Sequence, residues 1–168
     1  MNSIRSLFLL LAVALLTGSC GIYSFTGASI PADARTFTVN YLPNVAPIVN
    51  PALSQLLAEK LKTKFLSQTT LKLASDGGDL LFSGKITGYA TSPVAVQGNQ
   101  TSSVNRLTIS VEITFDNKKD PTKNFTSTFT QFSDFPSAQN LAAVENDLVA
   151  KITDQLVQDI FNKAVINW

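Results

Sequence analysis

Between Arg106 and Phe115 the chain reads RLTISVEITF, and its side chains alternate without a break. Leu107, Ile109, Val111, Ile113 and Phe115 fall on one side, and Arg106, Thr108, Ser110, Glu112 and Thr114 on the other. Successive side chains of an extended strand point to opposite faces, so this segment specifies a strand that is buried on one face only. Such a strand belongs to a sheet with an apolar layer against one side and water or a partner against the other.

The neighbouring segments supply the rest of that sheet. RTFTVNYL alternates Phe37, Val39 and Tyr41 against Thr36, Thr38 and Asn40. From Leu71 to about Thr91 the pattern predicts a short strand, a tight turn at SDGGD and the long strand LLFSGKITGYAT. Gly84 and Gly88 are expected on one face of that strand, where they allow close packing by a helix or a bulge. SPVAVQGNQTSSVN reads as a polar loop, DNKKDPTKN has hairpin-turn chemistry, and FTSTFTQF returns as a strand before SDFPS.

Two amphipathic helices supply the covering layer. The first is expected to begin with Asn50 as N-cap and Pro51 at the first helical position, and to run to about Ser67. Its stripe is Leu53, Leu56, Leu57, Leu61 and Phe65. The second is expected from about Ala138 to Val165, with Leu141, Val144, Leu148, Ile152, Leu156 and Ile160 as its stripe. The order strand, helix, three or four strands, helix predicts an α+β fold: a two-layer sandwich, with an antiparallel sheet of about four strands and two helices packed on one face.

Both helices carry residues out of phase with their stripes. Lys60 and Lys64 fall within the apolar face of the first, where long stems are expected to snorkel and Lys64 also suits the C-terminal end of the helix dipole. In the second, Val157, Phe161, Ala164, Val165 and Trp168 form a ridge almost opposite the main stripe. Two explanations stand open: the last turns bend or unwind so that Phe161 and Trp168 fold into the core, against Tyr23 and Phe25, or the helix continues straight and presents them outward as aromatic anchors for a partner. Phe161, Trp168, Tyr23 and Phe25 are therefore candidate partner contacts.

The N-terminus has the order of an export signal. Arg5 precedes an apolar run from Leu7 to Leu16, too short to span a bilayer, which takes roughly 20 residues, and the small residues Thr17, Gly18 and Ser19 follow. Leu16-Thr17-Gly18-Ser19-Cys20 resembles a bacterial lipobox, with Thr17 where leucine is usual. Cys20, the only cysteine, is then the lipidated mature N-terminus, which explains an otherwise unpaired thiol in an exported chain. Lipid chains anchor a protein without a transmembrane helix. Gly21 in place of the aspartate that retains enterobacterial lipoproteins at the inner membrane favours the outer membrane, and no acidic run follows to suggest the cell surface. This divides the chain into a signal peptide over residues 1–19, a tether over 20–35 and a single domain over 36–168.

Composition narrows the function. Of 13 basic and 12 acidic residues, Arg5 leaves with the signal, so the mature chain is balanced, unlike a nucleic-acid binder. There is no histidine, and with one thiol the usual zinc sites, Cys-His and Ser-His pairs and disulfides are excluded. No cofactor or metal is expected. Asp76, Asp79, Asp116 and Asp120 lie in turns beside Gly, Asn or Pro, where aspartate is a turn former, so no enzyme is expected. Lys118, Lys119 and Lys123 cluster at a hairpin tip, either as a solvated turn or as candidates for contacting the phosphates of a ligand.

Taken in order, CGIYSFTGASIP, DLLFSGKITGYATSP, RLTISVEITFDN and DIFNKAVINW resemble the LptE-like lipopolysaccharide-assembly lipoproteins in their Bacteroidetes form, over essentially the whole chain. The resemblance implies a lipid-anchored protein on the periplasmic side of the outer membrane. It implies a plug in the lumen of the LptD β-barrel, with lipopolysaccharide delivered to the outer leaflet and its phosphates as the ones that Lys118, Lys119 and Lys123 would contact. No motif here aligns with the basic residues of enterobacterial members, so no residue role is carried over. The alternative is a periplasm-facing carrier, without a barrel partner, that holds an acyl chain between helices and sheet.

Overall fold

The computed structural model describes residues 30, 31, 33–94 and 103–165. The elements, in chain order, are β1 (Thr36–Val39), α1 (Leu53–Gln68), β2 (Lys72–Leu73), β3 (Leu80–Val94) and β4 (Val104–Asn117). A 3-10 turn over Pro121–Lys123, β5 (Phe125–Pro136) and α2 (Leu141–Val165) complete the chain. The expected α+β two-layer architecture is present, and the apolar core lies between the sheet and the two helices.

The sheet differs in one respect from the expected four antiparallel strands. It has five strands in the order β2-β1-β3-β4-β5 and is mixed, because β1 runs parallel to both of its neighbours. Only β3, β4 and β5 are antiparallel. The reason is connectivity: α1 follows β1 as a crossover, and a helical crossover returns the chain in a parallel direction. The added strand, β2, is two residues long, too short for periodicity to reveal.

Several boundaries also move. Pro51 and Ala52 form a turn and α1 starts at Leu53, but Asn50 still caps, its Oδ1 accepting from the Ala52 N–H at 3.0 Å. Asn140 does the same for α2 through the Ala142 N–H at 3.1 Å, so this helix begins at Leu141 instead of Ala138. The ladders of β3, β4 and β5 run on into the segments read as loops, to Val94, from Val104 and to Pro136. Gly84 and Gly88 do not share a face. A bulge between Ile86 and Gly88 shifts the register, so Gly84 lies opposite core residue Ile113 while Gly88 lies opposite Ser110 on the outer face. The same bulge brings Tyr89 inward after Leu80, Phe82 and Ile86.

The link from β2 to β3 passes over β1 without a helix. Ala74 N–H donates to the Phe37 carbonyl at 2.8 Å and Gly78 N–H to Thr38 Oγ1 at 3.1 Å, so this loop lies against the outer face of β1. A Cβ at Gly78 would stand 2.8 Å from the Phe37 carbonyl carbon, so the crossing needs glycine.

Phe65 organises the core. Its ring lies 5.4 Å from Phe37, 4.8 Å from Phe82 and 5.0 Å from Phe161, centroid to centroid. Lys60 and Lys64 are not simply snorkelling. They sit at the α1–α2 seam, where Lys60 Nζ reaches Asp154 at 2.5 Å and the Ala150 carbonyl at 3.1 Å, and Lys64 Nζ donates to Gln158 at 2.7 Å.

Candidate functional site

Along β4 the observed burial reproduces the alternation of the sequence, and β5 continues its polar face. On β5 the outer row is Thr126, Thr128, Thr130, Phe132 and Asp134, all exposed, opposite Thr114, Glu112, Ser110, Thr108 and Arg106 of β4. Among the described residues no element packs over this face at β4 and β5, whereas the inner face carries both helices.

The chemistry of this face is hydroxyl-rich and internally neutralised. Ser110 and Thr130 hydroxyls meet at 2.9 Å, as do those of Thr114 and Thr126. Lys85 Nζ lies 3.1 Å from Glu112. Arg106 forks onto Asp134 with bonds of 2.7 and 2.9 Å, a bidentate pairing that guanidinium planarity favours. Its hydrogen bonds hold the Asp134 carboxyl below the usual carboxylate range. The same guanidinium lies over the Phe132 ring, 3.6 Å from its centroid. Such a face offers hydrogen bonds and one partly exposed aromatic to a polar surface. Sequence reading missed the Arg106–Phe132 stack, although Phe132 falls out of phase with Phe125 and Phe129 in FTSTFTQF.

At the opposite end of the hairpin, Lys118 and Lys119 are engaged with the fold. Lys118 Nζ donates to the Gly77 carbonyl at 2.8 Å, and Lys119 Nζ lies 3.2 Å from Asp79. Lys123 ends the 3-10 turn that Asp120 caps. Asp79 is more than a turn former. Its Oδ2 accepts from the Arg35 N–H at 2.9 Å, the Thr36 N–H at 3.0 Å and the Thr36 hydroxyl at 3.0 Å. These donors, the Arg35 N–H foremost, hold its carboxyl far below the usual carboxylate range.

Of the candidate partner contacts, Phe161 is 4% exposed and packed against Phe65, so it lies in the core, but without the expected unwinding: the helix continues to Val165. Val157 and Val165 are buried with it. The two ridges of α2 coexist because buried residues recur as adjacent pairs, 148/149, 152/153, 156/157 and 160/161. The helix is wedged against both the sheet and α1. Trp168, Tyr23, Phe25 and Cys20 lie outside the described residues.

A shallow groove of about 340 Å³ runs between the end of β1 and α1. Val39, Asn40 and Tyr41 line one wall, and Ser54, Gln55, Ala58, Glu59 and Lys62 the other.

Against known proteins, the model of the LptE family, described as lipopolysaccharide-assembly, matches residues 34–164. The chain belongs to the LptE family. That match begins just before β1 and ends within the last turn of α2, so every described element of this LptE-family protein lies inside it except the final residue of α2. A comparison with curated protein sequences finds no match. Among solved structures, a minor lipoprotein from Acinetobacter baumannii is similar with a TM-score of 0.51 and 15% identity, over 77% of this chain and 91% of its own. A putative neuraminyllactose-binding hemagglutinin homolog from Helicobacter pylori gives a TM-score of 0.51 at 8% identity, over 84% of this chain and 88% of its own. At such identities the likeness shows the fold alone.

Proposed function

We propose that this LptE-family protein is an outer-membrane lipoprotein, anchored through Cys20, that plugs the lumen of an LptD-type β-barrel and assists insertion of lipopolysaccharide into the outer leaflet. The observation that carries this reading is the family match over residues 34–164, which ties the whole folded domain to lipopolysaccharide assembly. Two further features support it. The lipobox-like Leu16 to Cys20 segment supplies an anchor, and no helix among the described residues is long and apolar enough to cross a membrane. The bare face of β4 and β5 suits a barrel interior, which is polar where the lipid-facing exterior is apolar. Its charges are paired within the face, so a polar lumen meets hydroxyls instead of uncompensated ions.

Lys118, Lys119 and Lys123 are the proposed contacts for lipopolysaccharide phosphates. A phosphate arriving there competes with Asp79 for Lys119 and with the Gly77 carbonyl for Lys118.

The deciding experiment is purification of the native protein in mild detergent. A large β-barrel should co-purify with it, and Thr128→Arg on the bare face should deplete the barrel without lowering the melting temperature. If no barrel appears and the delipidated soluble domain instead retains an acyl lipid, the protein is a carrier and the plug is ruled out.

A further inference from the structure

The groove between β1 and α1 has the outline of a missing strand. β1 is paired on its β2 side only at Thr36 and Phe37, because β2 ends at Leu73. The chain then leaves over the outer face, with Ala74 N–H on the Phe37 carbonyl. Alternation along a strand places the N–H and C=O of Phe37 and Val39 on the same side, while Asn40 N–H donates to Phe82 on the β3 side at 2.9 Å. The backbone groups of Val39 therefore face the groove, beyond the end of β2. Ser54 and Ala58, small residues one turn apart on α1, keep the helix wall low opposite them.

We infer that this groove receives an extended, uncharged segment of another polypeptide, which adds beside Val39 where a longer β2 would run. Two observations select that occupant. An N–H and a C=O side by side on a sheet edge are matched by the backbone of an extended chain, which presents the complementary pair. Among the described residues, the only charges lining the groove, Glu59 and Lys62, lie 3.2 Å apart and satisfy each other, so the groove favours neither an acidic nor a basic segment. Tyr41, 74% exposed at the rim, supplies an aromatic surface for an apolar side chain of the incoming strand. The inference does not depend on the barrel reading.

The test uses a phage-displayed library of random peptides, panned against the full-length protein in detergent, followed by amide exchange with the enriched peptides made synthetically. Uncharged, β-branched sequences should be enriched, and they should slow exchange of the Val39 amide by at least about tenfold. Ala58→Arg should abolish both effects. Should that variant fail to fold, Gln55→Trp, on the exposed wall, serves in its place. Peptides that bind wild type and variant equally, or that leave Val39 unprotected, overturn the inference. So does protection of Val39 without peptide, which assigns the edge to the chain's own upstream segment if it persists on dilution and to a second copy if it grows with concentration.

Discussion

Phe161 of α2 meets Phe65 of α1 edge-on, with ring centroids 5.0 Å apart, and this contact closes the seam between the two helices at their C-terminal ends. Lys64 Nζ stands 5.3 Å above the same Phe161 ring, so the seam is covered from outside by a cation. Phe161→Ala removes a buried ring from Phe65 and Lys64 at once. The expected loss of stability is about 3–5 kcal/mol, measured by denaturant unfolding of the soluble domain. A near-wild-type midpoint would place Phe161 outside the core.

The clamp at Asp79 predicts a pH dependence. Its carboxyl is held below the usual range in the folded protein, so the folded state binds that proton more weakly than the unfolded chain, where the value is about 3.9. The stabilisation is fully present above that unfolded value and is lost as pH falls through it toward the lower folded one. Asp79→Asn should lower the melting temperature at pH 7, and its difference from wild type should shrink progressively below about pH 4. A constant difference across that range would assign the effect to shape instead of charge.

Gly78→Ala tests the crossing over β1. The added methyl lands within 3 Å of backbone atoms of Phe37 and Thr38, which are fixed by strand pairing and cannot yield as a flexible side chain would. A loss of about 1–3 kcal/mol is expected, from overpacking against a rigid neighbour. Gly77→Ala next to it meets no atom within 4 Å, but its φ of +70° strains any side chain, so it should lose about 1 kcal/mol through the backbone alone. Equal and negligible effects at both positions would mean the loop can move off the sheet.

Cys20→Ala separates anchoring from folding. The variant should accumulate as uncleaved precursor and carry no lipid, while the domain melts at the wild-type temperature, since the family match and the described core both begin downstream at Ala34. Mass spectra of membrane-extracted wild type decide the matter directly: an unmodified Cys20 would end the lipoprotein reading.

The sequence made the antiparallel half of the sheet and both helices legible because their periodicity is long. Fourteen residues of β4 leave no other assignment for the pattern to compete with. What stayed hidden was what periodicity does not encode. A two-residue strand has no period, and a bulge after Ile86 moves Gly88 to the face opposite Gly84 although their spacing says otherwise. Asp79 looked like any aspartate beside glycine, because its partners Arg35 and Thr36 are more than forty residues away in the chain. Lys60 and Lys64 likewise make sense only once Asp154 and Gln158 are brought alongside. For the candidate site, the polar face was readable from alternation, while the pairing of its charges depended on the register between β4 and β5.

The position of β1 has a mechanical consequence. The strand is flanked on both sides by strands running in its own direction, and its first residues are fastened by Asp79. A pull on the chain upstream of Arg35 is therefore applied along the length of β1, across hydrogen bonds that must break together, instead of unzipping them singly from an edge. A domain attached to a membrane by that end would bear the load of its own tether in shear along β1, and not by peeling a strand from an edge.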